Sequence, residues 1–209
     1  MEVVLKKQVR DYIFLFTIAI TIVLLDQITK TIVRQNLEFS QMVIPFGFDW
    51  LYPYFYIVHW YNTGAAFGMF QDFSIVFTVL AIIVSVLIIY YFPKISKEDW
   101  HLRLALGMQL GGAIGNLIDR VTIGHVTDFI AVGSFPVFNI ADASISLGVA
   151  VLILGMWLKE RDKSEEEDQE GSKGSNQDIA IENAGQVANK AISENVNSAS
   201  ENTSKAMLE

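Results

Sequence analysis

Twenty consecutive residues, Phe73 to Phe92, carry no charge. As a helix they would extend about 30 Å, the thickness of a bilayer's hydrocarbon core. A helix on a soluble bundle needs a polar face, and this run has none. Three further apolar runs are comparable in length. They are Tyr12 to Val33, interrupted by Asp26 and Lys30; Leu102 to Ile118, charged only at Arg103; and Val137 to Leu158, charged only at Asp142. The pattern predicts an all-α membrane protein, a bundle of four transmembrane helices. Lys6, Lys7 and Arg10 precede the first run as in a signal peptide, but no small-x-small cleavage site follows. The run is therefore read as a retained anchor.

Charge is distributed unevenly. Met1 to Leu158 holds 9 basic and 11 acidic residues, and the remaining 51 residues hold 6 and 12. The acidity thus belongs to the end of the chain. That segment is rich in Glu, Asp, Ser and Asn and poor in aromatics, so it cannot bury enough surface to fold by itself. The organisation read here is a membrane domain over residues 1–158 and a disordered acidic cytoplasmic tail over 159–209. Basic residues in short loops set orientation. Lys94, Lys97, Arg103, Lys159, Arg161 and Lys163 fall on the side of the N-terminus, and only Arg34 and Arg120 on the other. Both termini are expected in the cytoplasm, with the segments Arg34 to Asp72 and Arg120 to Pro136 outside. Ten aromatic residues between Phe39 and Tyr61, with strand-forming residues from Tyr54 on, predict a small extracytoplasmic β-sheet at headgroup level.

Several chemistries are excluded. The chain has no cysteine, hence no disulfide framework, thiolate zinc site or cysteine nucleophile. There is no Gly-x-Ser-x-Gly, His-Glu-x-x-His or P-loop, no metal-ligand spacing, no cofactor motif, and no basic patch suited to nucleic acid.

Ionisable groups inside a membrane are costly and point to function. At 1.5 Å per residue, Asp26 lies roughly 20 Å along the first run, Asp119 roughly 25 Å along the third, and Asp142 roughly 8 Å into the fourth. Asp128 stands in the outer loop between the last two. Four carboxylates thus reach the outer third of the bilayer. Gln109, Gly112, Asn116 and Asp119 form one stripe on the third helix, beside a ridge of Gly107, Gly111 and Gly115 that allows close helix packing. Two readings stand for several of these groups. Asp26 and Lys30, spaced i,i+4, make either an internal ion pair or part of a site. Asp142 follows Asn139 as in a capping box, and the same position would keep a catalytic carboxylate ionised. Paired aspartates that share one proton can hydrolyse a peptide bond, one as general base and the other as acid. The same aspartates also fit a relay in a small proton- or ion-coupled carrier, although carriers place such groups near the midplane between inverted repeats.

Five blocks occur in order among these runs: Asp26-Gln27-Ile28-Thr29-Lys30, Asn62 to Gly68 with Gly64, Gly111 to Arg120, Gly124 to Phe129, and Phe138 to Asp142. Together they resemble the bacterial lipoprotein signal peptidases (signal peptidase II). The resemblance implies an aspartic endopeptidase of the bacterial cytoplasmic (inner) membrane. It would remove signal peptides from diacylglyceryl-modified prolipoproteins, just before the lipidated cysteine, and would bind globomycin-type peptide inhibitors. By the motifs, Asp128 and Asp142 would be the catalytic pair. Asn62, Gly64, Asn116, Arg120, Asn139 and Ala141 would line or support the site, with Asp26 and Lys30 as the first-helix pair. Asp119 would be structural, paired with Arg120. The tail has no counterpart in the family.

Overall fold

The computed structural model describes residues 2–64 and 73–161. The Asn62 to Gly68 block is therefore described only as far as Gly64, and the expected tail lies, from residue 162, outside the described residues.

Four long helices and one small sheet make up the described chain. Helix α1 is Glu2–Asn36, α2 is Ser74–Tyr91 and α3 is Trp100–Ile123; α4 is Ile140–Arg161. Strands β1 (Met42–Val43), β2 (Phe55–Asn62) and β3 (Val126–Val132) form an antiparallel sheet in the order β1-β2-β3. Each boundary has a local cause. A turn at Phe92–Lys94 containing Pro93 follows α2, since proline cannot continue a helix. Gly124, at φ +82°, ends α3 in the left-handed conformation that glycine adopts freely.

Among the described residues, Gln8–Asn36, Ser74–Lys94 and Ile140–Arg161 are long and apolar enough to cross a membrane. The expected third span falls within α3, which is not among them. Its polar and small residues explain why: Arg103, Gly111, Gly115, Asn116 and Asp119 are all buried, so α3 is the helix on which its neighbours pack. The glycine ridge faces α1. A Cβ at Gly111 would sit 2.9 Å from the Ala19 carbonyl oxygen, and one at Gly115 would sit 2.7 Å from Asp26 Oδ2. The molecule is inside-out relative to a soluble domain. Lys30, Asp26, Asp119, Asp128 and Asn139 are wholly buried, whereas Ile75, Val86 and Ile20 are exposed.

The bundle end remote from the sheet is held by charge. Arg103 at the start of α3 donates from Nη2 to Asp11 Oδ1 of α1 (2.7 Å) and from Nη1 to the Ile95 carbonyl oxygen (3.2 Å). Its guanidinium also lies over the Phe92 ring, 4.5 Å from the centroid. Asp11 and Arg103 are both buried. Arg103→Met would leave the buried Asp11 carboxylate, among the described residues, only the half-exposed Lys97 ammonium at 3.9 Å. The expected cost is about 3–5 kcal/mol, to be read as a lower unfolding temperature in detergent; an unchanged temperature would show that the pair holds nothing together.

Candidate active site

The sheet and α4 meet through one backbone return. Phe138 N–H donates to the Ile130 carbonyl oxygen (3.0 Å), and the Phe138 carbonyl oxygen accepts from Phe129 and Ile130 N–H (3.0 and 2.8 Å). Asn139 follows immediately and caps α4. Its Oδ1 accepts from Asp142 N–H (2.9 Å) while Asp142 Oδ2 accepts from Asn139 N–H (3.3 Å). This is the reciprocal capping box read from the sequence. Asp128 had been expected in a loop. It instead lies on β3, opposite Trp60 of β2. An irregularity in β2 between Ile57 and Trp60 shifts the register there, as bulges near sites do. Asn62 and Asp128 are then diagonal neighbours on one face of the sheet.

Each aspartate is held by two amide donors. Asp128 accepts from Asn62 Nδ2 (2.8 Å) and Asn139 Nδ2 (2.7 Å); Asp142 accepts from Asn116 Nδ2 (2.8 Å) and the Asn139 backbone. Asn139 thus bridges the two. The direction of every amide is forced by a partner that can only donate. Gly64 N–H donates to Asn62 Oδ1 (3.0 Å), Lys30 Nζ to Asn116 Oδ1 (2.9 Å) and Asp142 N–H to Asn139 Oδ1. All three NH₂ groups therefore turn toward carboxylates. Burial, reinforced by neighbouring Asp142, pushes the Asp128 carboxyl up to about 7 against the pull of its amide donors.

Behind this pair lies a charged layer. Lys30 Nζ is 2.8 Å from Asp26 Oδ2 and 3.2 Å from Asp119 Oδ2, so the i,i+4 pair is present and extends to α3. Asp26 Oδ1 accepts from Ala141 N–H (2.9 Å), tying α1 to the first turn of α4. Asp119 does not pair with Arg120. Adjacent helical residues point about 100° apart, so Asp119 faces α1 and meets Arg34 Nη1 (3.2 Å) as well as Lys30. Arg120 turns the other way, 5.5 Å from the centroid of the Phe77 ring. All four carboxylates expected at one level thus join one network.

A cavity of about 560 Å³ opens onto Asp142, Asn116, Asn62 and Arg120 and is otherwise walled largely by apolar groups, among them Phe77, Val137 and Phe138. Two contributors had not been singled out in the sequence. Gln27 donates to the Gly115 carbonyl oxygen (3.0 Å) and to Asp119 Oδ1 (3.2 Å), and Arg34 donates to Thr127 Oγ1 (3.1 Å). Their signals were adjacency to Asp26 and the i+4 step from Lys30. The histidines stand aside. His59 donates from Nδ1 to the Leu37 carbonyl oxygen (2.8 Å), and His125 packs on Tyr61 with ring centroids 4.1 Å apart. The Ser144 hydroxyl donates to the Ala141 carbonyl oxygen (2.8 Å).

The family model described as signal peptidase (SPase) II matches residues 18–158. The lipoprotein signal peptidase of Ectopseudomonas mendocina is 39% identical over 159 residues, covering 71% of this chain and 90% of its own. That of Dehalococcoides mccartyi is 43% identical over 136 residues, covering 63% and 81%. Among solved structures, a bacterial membrane enzyme determined in meso at 2.3 Å superposes with a TM-score of 0.63 at 32% identity, covering 71% of this chain and 90% of that one. With well over half its length matched, the chain belongs to the signal peptidase II family.

Proposed function

We propose that this peptidase removes signal peptides from diacylglyceryl-modified prolipoproteins by aspartic catalysis at Asp128 and Asp142, cutting just before the lipidated cysteine. The observation that carries the reading is the Asn139-bridged pair of carboxylates beside an apolar-walled cavity. Four spans, both termini in the cytoplasm and the site at the extracytoplasmic face of the bacterial cytoplasmic membrane complete the proposal. It is supported by the bias of Lys and Arg toward the loops on the side of the termini. In this frame α3 is the third span, its polar residues buried against its neighbours.

The chemistry follows from two carboxyls with one proton between them. Asp142 stands in the first turn of α4, where a negative charge is favoured, so it is assigned the ionised role. Asp128, raised by burial, holds the proton. The ionised carboxylate takes a proton from water as the water oxygen bonds to the scissile carbonyl carbon. The protonated carboxyl gives its proton to the carbonyl oxygen. On collapse, a hydroxyl of the diol returns its proton to Asp128 as the C–N bond breaks, and the amine leaves with the proton that Asp142 took from water. Arg120, at the cavity wall, would face the substrate, and acyl chains would remain in lipid. The aromatic segment before and within β2, with Trp50, Tyr54 and Trp60 exposed, would hold the emerging polypeptide. Globomycin-type peptides would occupy the same cavity.

The deciding experiment incubates the purified full chain in detergent with a prolipoprotein, with and without the diacylglyceryl group. Release of signal peptide from the modified precursor alone is expected. Cleavage of neither precursor, or of both at equal rates, would overturn the assignment.

A further inference from the structure

Lys30 cannot reach a substrate. Its side chain is wholly buried, and its ammonium is enclosed by Asp26 Oδ2, Asp119 Oδ2 and Asn116 Oδ1. An ammonium taken out of water costs several kcal/mol before its partners repay it. Joining two helices does not demand that cost, since the glycine ridge already brings α1 and α3 together.

The groups that face the aspartate pair show what the charge does. From α1 come Asp26, Lys30 and Arg34; from α3, Asp119 and Arg120; from β3 and α4, Asp128 and Asp142 themselves. Of the nearby histidines, His59 of β2 is engaged elsewhere, donating from Nδ1 to the Leu37 carbonyl oxygen, and burial holds the His125 imidazole below its ordinary range. Three cations therefore meet four carboxylates. With every group ionised the layer carries one net negative charge, and a single proton makes it neutral. Net charge is penalised in a medium of low dielectric. Asp26 and Asp119 are taken by Lys30 and Arg34. Among the described residues Asp128 and Asp142 have amide partners instead of ion pairs, so the proton falls to them.

We propose that Lys30 is a positioning residue for the reaction: by balancing Asp26 and Asp119 and fixing the Asn116 amide, it sets the Asp128–Asp142 pair at one shared proton. This rests on the assignment of those two aspartates as the catalytic pair. The route is short. Lys30 Nζ donates to Asn116 Oδ1, whose Nδ2 donates to Asp142 Oδ1, and Asn139 Nδ2 spans from Asn116 Oδ1 (3.1 Å) to Asp128 Oδ1. Without Lys30 the layer would need a second proton for neutrality, and the pair would lose its base.

The test is the pH profile of kcat/KM for cleavage of a diacylglyceryl-modified prolipoprotein by the full chain. Lys30→Met is expected to move the profile upward by about one pH unit or more, so its deficit is large at pH 6 and shrinks by pH 8. Asp26→Asn removes a negative charge and moves it downward. The double variant, neutral again, returns to within about half a pH unit of wild type. Lys30→Arg keeps the position of the profile even where its height falls. A Lys30→Met deficit equal at every pH, or a double variant that stays shifted, would overturn the proposal. Should Lys30→Met fail to fold, Asp26→Asn and the double variant decide by the same criteria. Activity retained in Asp128→Asn or Asp142→Asn would instead remove the catalytic assignment, which separates the two failures.

Discussion

Asp128→Asn and Asp142→Asn each lower kcat/KM by about 10³-fold, and the double variant is no slower than either alone, because the pair acts as one unit. An amide can neither accept the proton of water nor pass one to the carbonyl oxygen. The wild-type rate is expected to fall as pH rises through about 7, where Asp128 gives up the proton that the second role requires. The same shift predicts a trade between stability and activity. With its folded value raised from 3.8 to about 7, Asp128 adds nothing unfavourable below the ordinary carboxylate range. As pH climbs, the unfolded chain ionises first, and by about 7 the folded state has lost up to about 4 kcal/mol relative to it. Asp128→Asn escapes that loss. The inactive variant should therefore unfold at a higher temperature than wild type at pH 8 and show no such advantage at pH 4. Equal activity in either single variant, measured by release of signal peptide, would end the catalytic assignment.

How far the sequence reaches toward this site depends on whether the information is local. The spans are local: the uncharged stretch ending at Phe92 can do little else in water or lipid, and α2 begins and ends within a residue of it. Depth is local too, since rise per residue places Asp26, Asp119 and Asp142 at one level before any contact is known. The Asn139/Asp142 cap is a four-residue pattern and appears as read. What escapes is whatever depends on a distant partner. Asp128 interrupts a run of β-branched and aromatic residues with a side chain that strands disfavour. Its strand exists because β2, some 66 residues earlier, supplies the ladder and Asn62 receives the carboxylate. Asp119 is similar. Which helical face meets which neighbour is decided by the glycine contact between α3 and α1, so its cations are Lys30 and Arg34 and not the adjacent Arg120. The polarity of α3 was legible, yet only packing shows that it is spent inside the bundle.

Gly112→Ala should be the most damaging substitution away from the aspartates, and the reason lies in how α4 is seated. A Cβ at Gly112 would stand 2.5 Å from the Ala141 carbonyl oxygen, 2.6 Å from Ile145 Cγ1 and 2.6 Å from Ser144 Oγ. The first of these is backbone and cannot turn aside. The Ser144 hydroxyl is already committed to the Ala141 and Met108 carbonyl oxygens. Relief must come from moving the first turn of α4 away from α3, and that turn carries Asp142, held at 2.8 Å by Asn116 one turn further along α3. It also carries Ala141 N–H, which Asp26 holds at 2.9 Å from α1. Overpacking of this kind costs about 1–3 kcal/mol, and displacing a reacting group by about 1 Å costs on the order of 10²-fold in rate. The loss should fall on kcat more than on KM, because the cavity walls away from α4 are untouched. Gly107→Ala is the matched comparison. Its Cβ would lie 3.0 to 3.2 Å from side-chain atoms of Ile18, contacts that a shift of a few tenths of an ångström relieves without moving α4, so activity within about threefold of wild type is expected. Unfolding temperatures and kcat measured together for both variants decide the matter. If Gly112→Ala matched Gly107→Ala in both, close contact with α3 would not be what places Asp142.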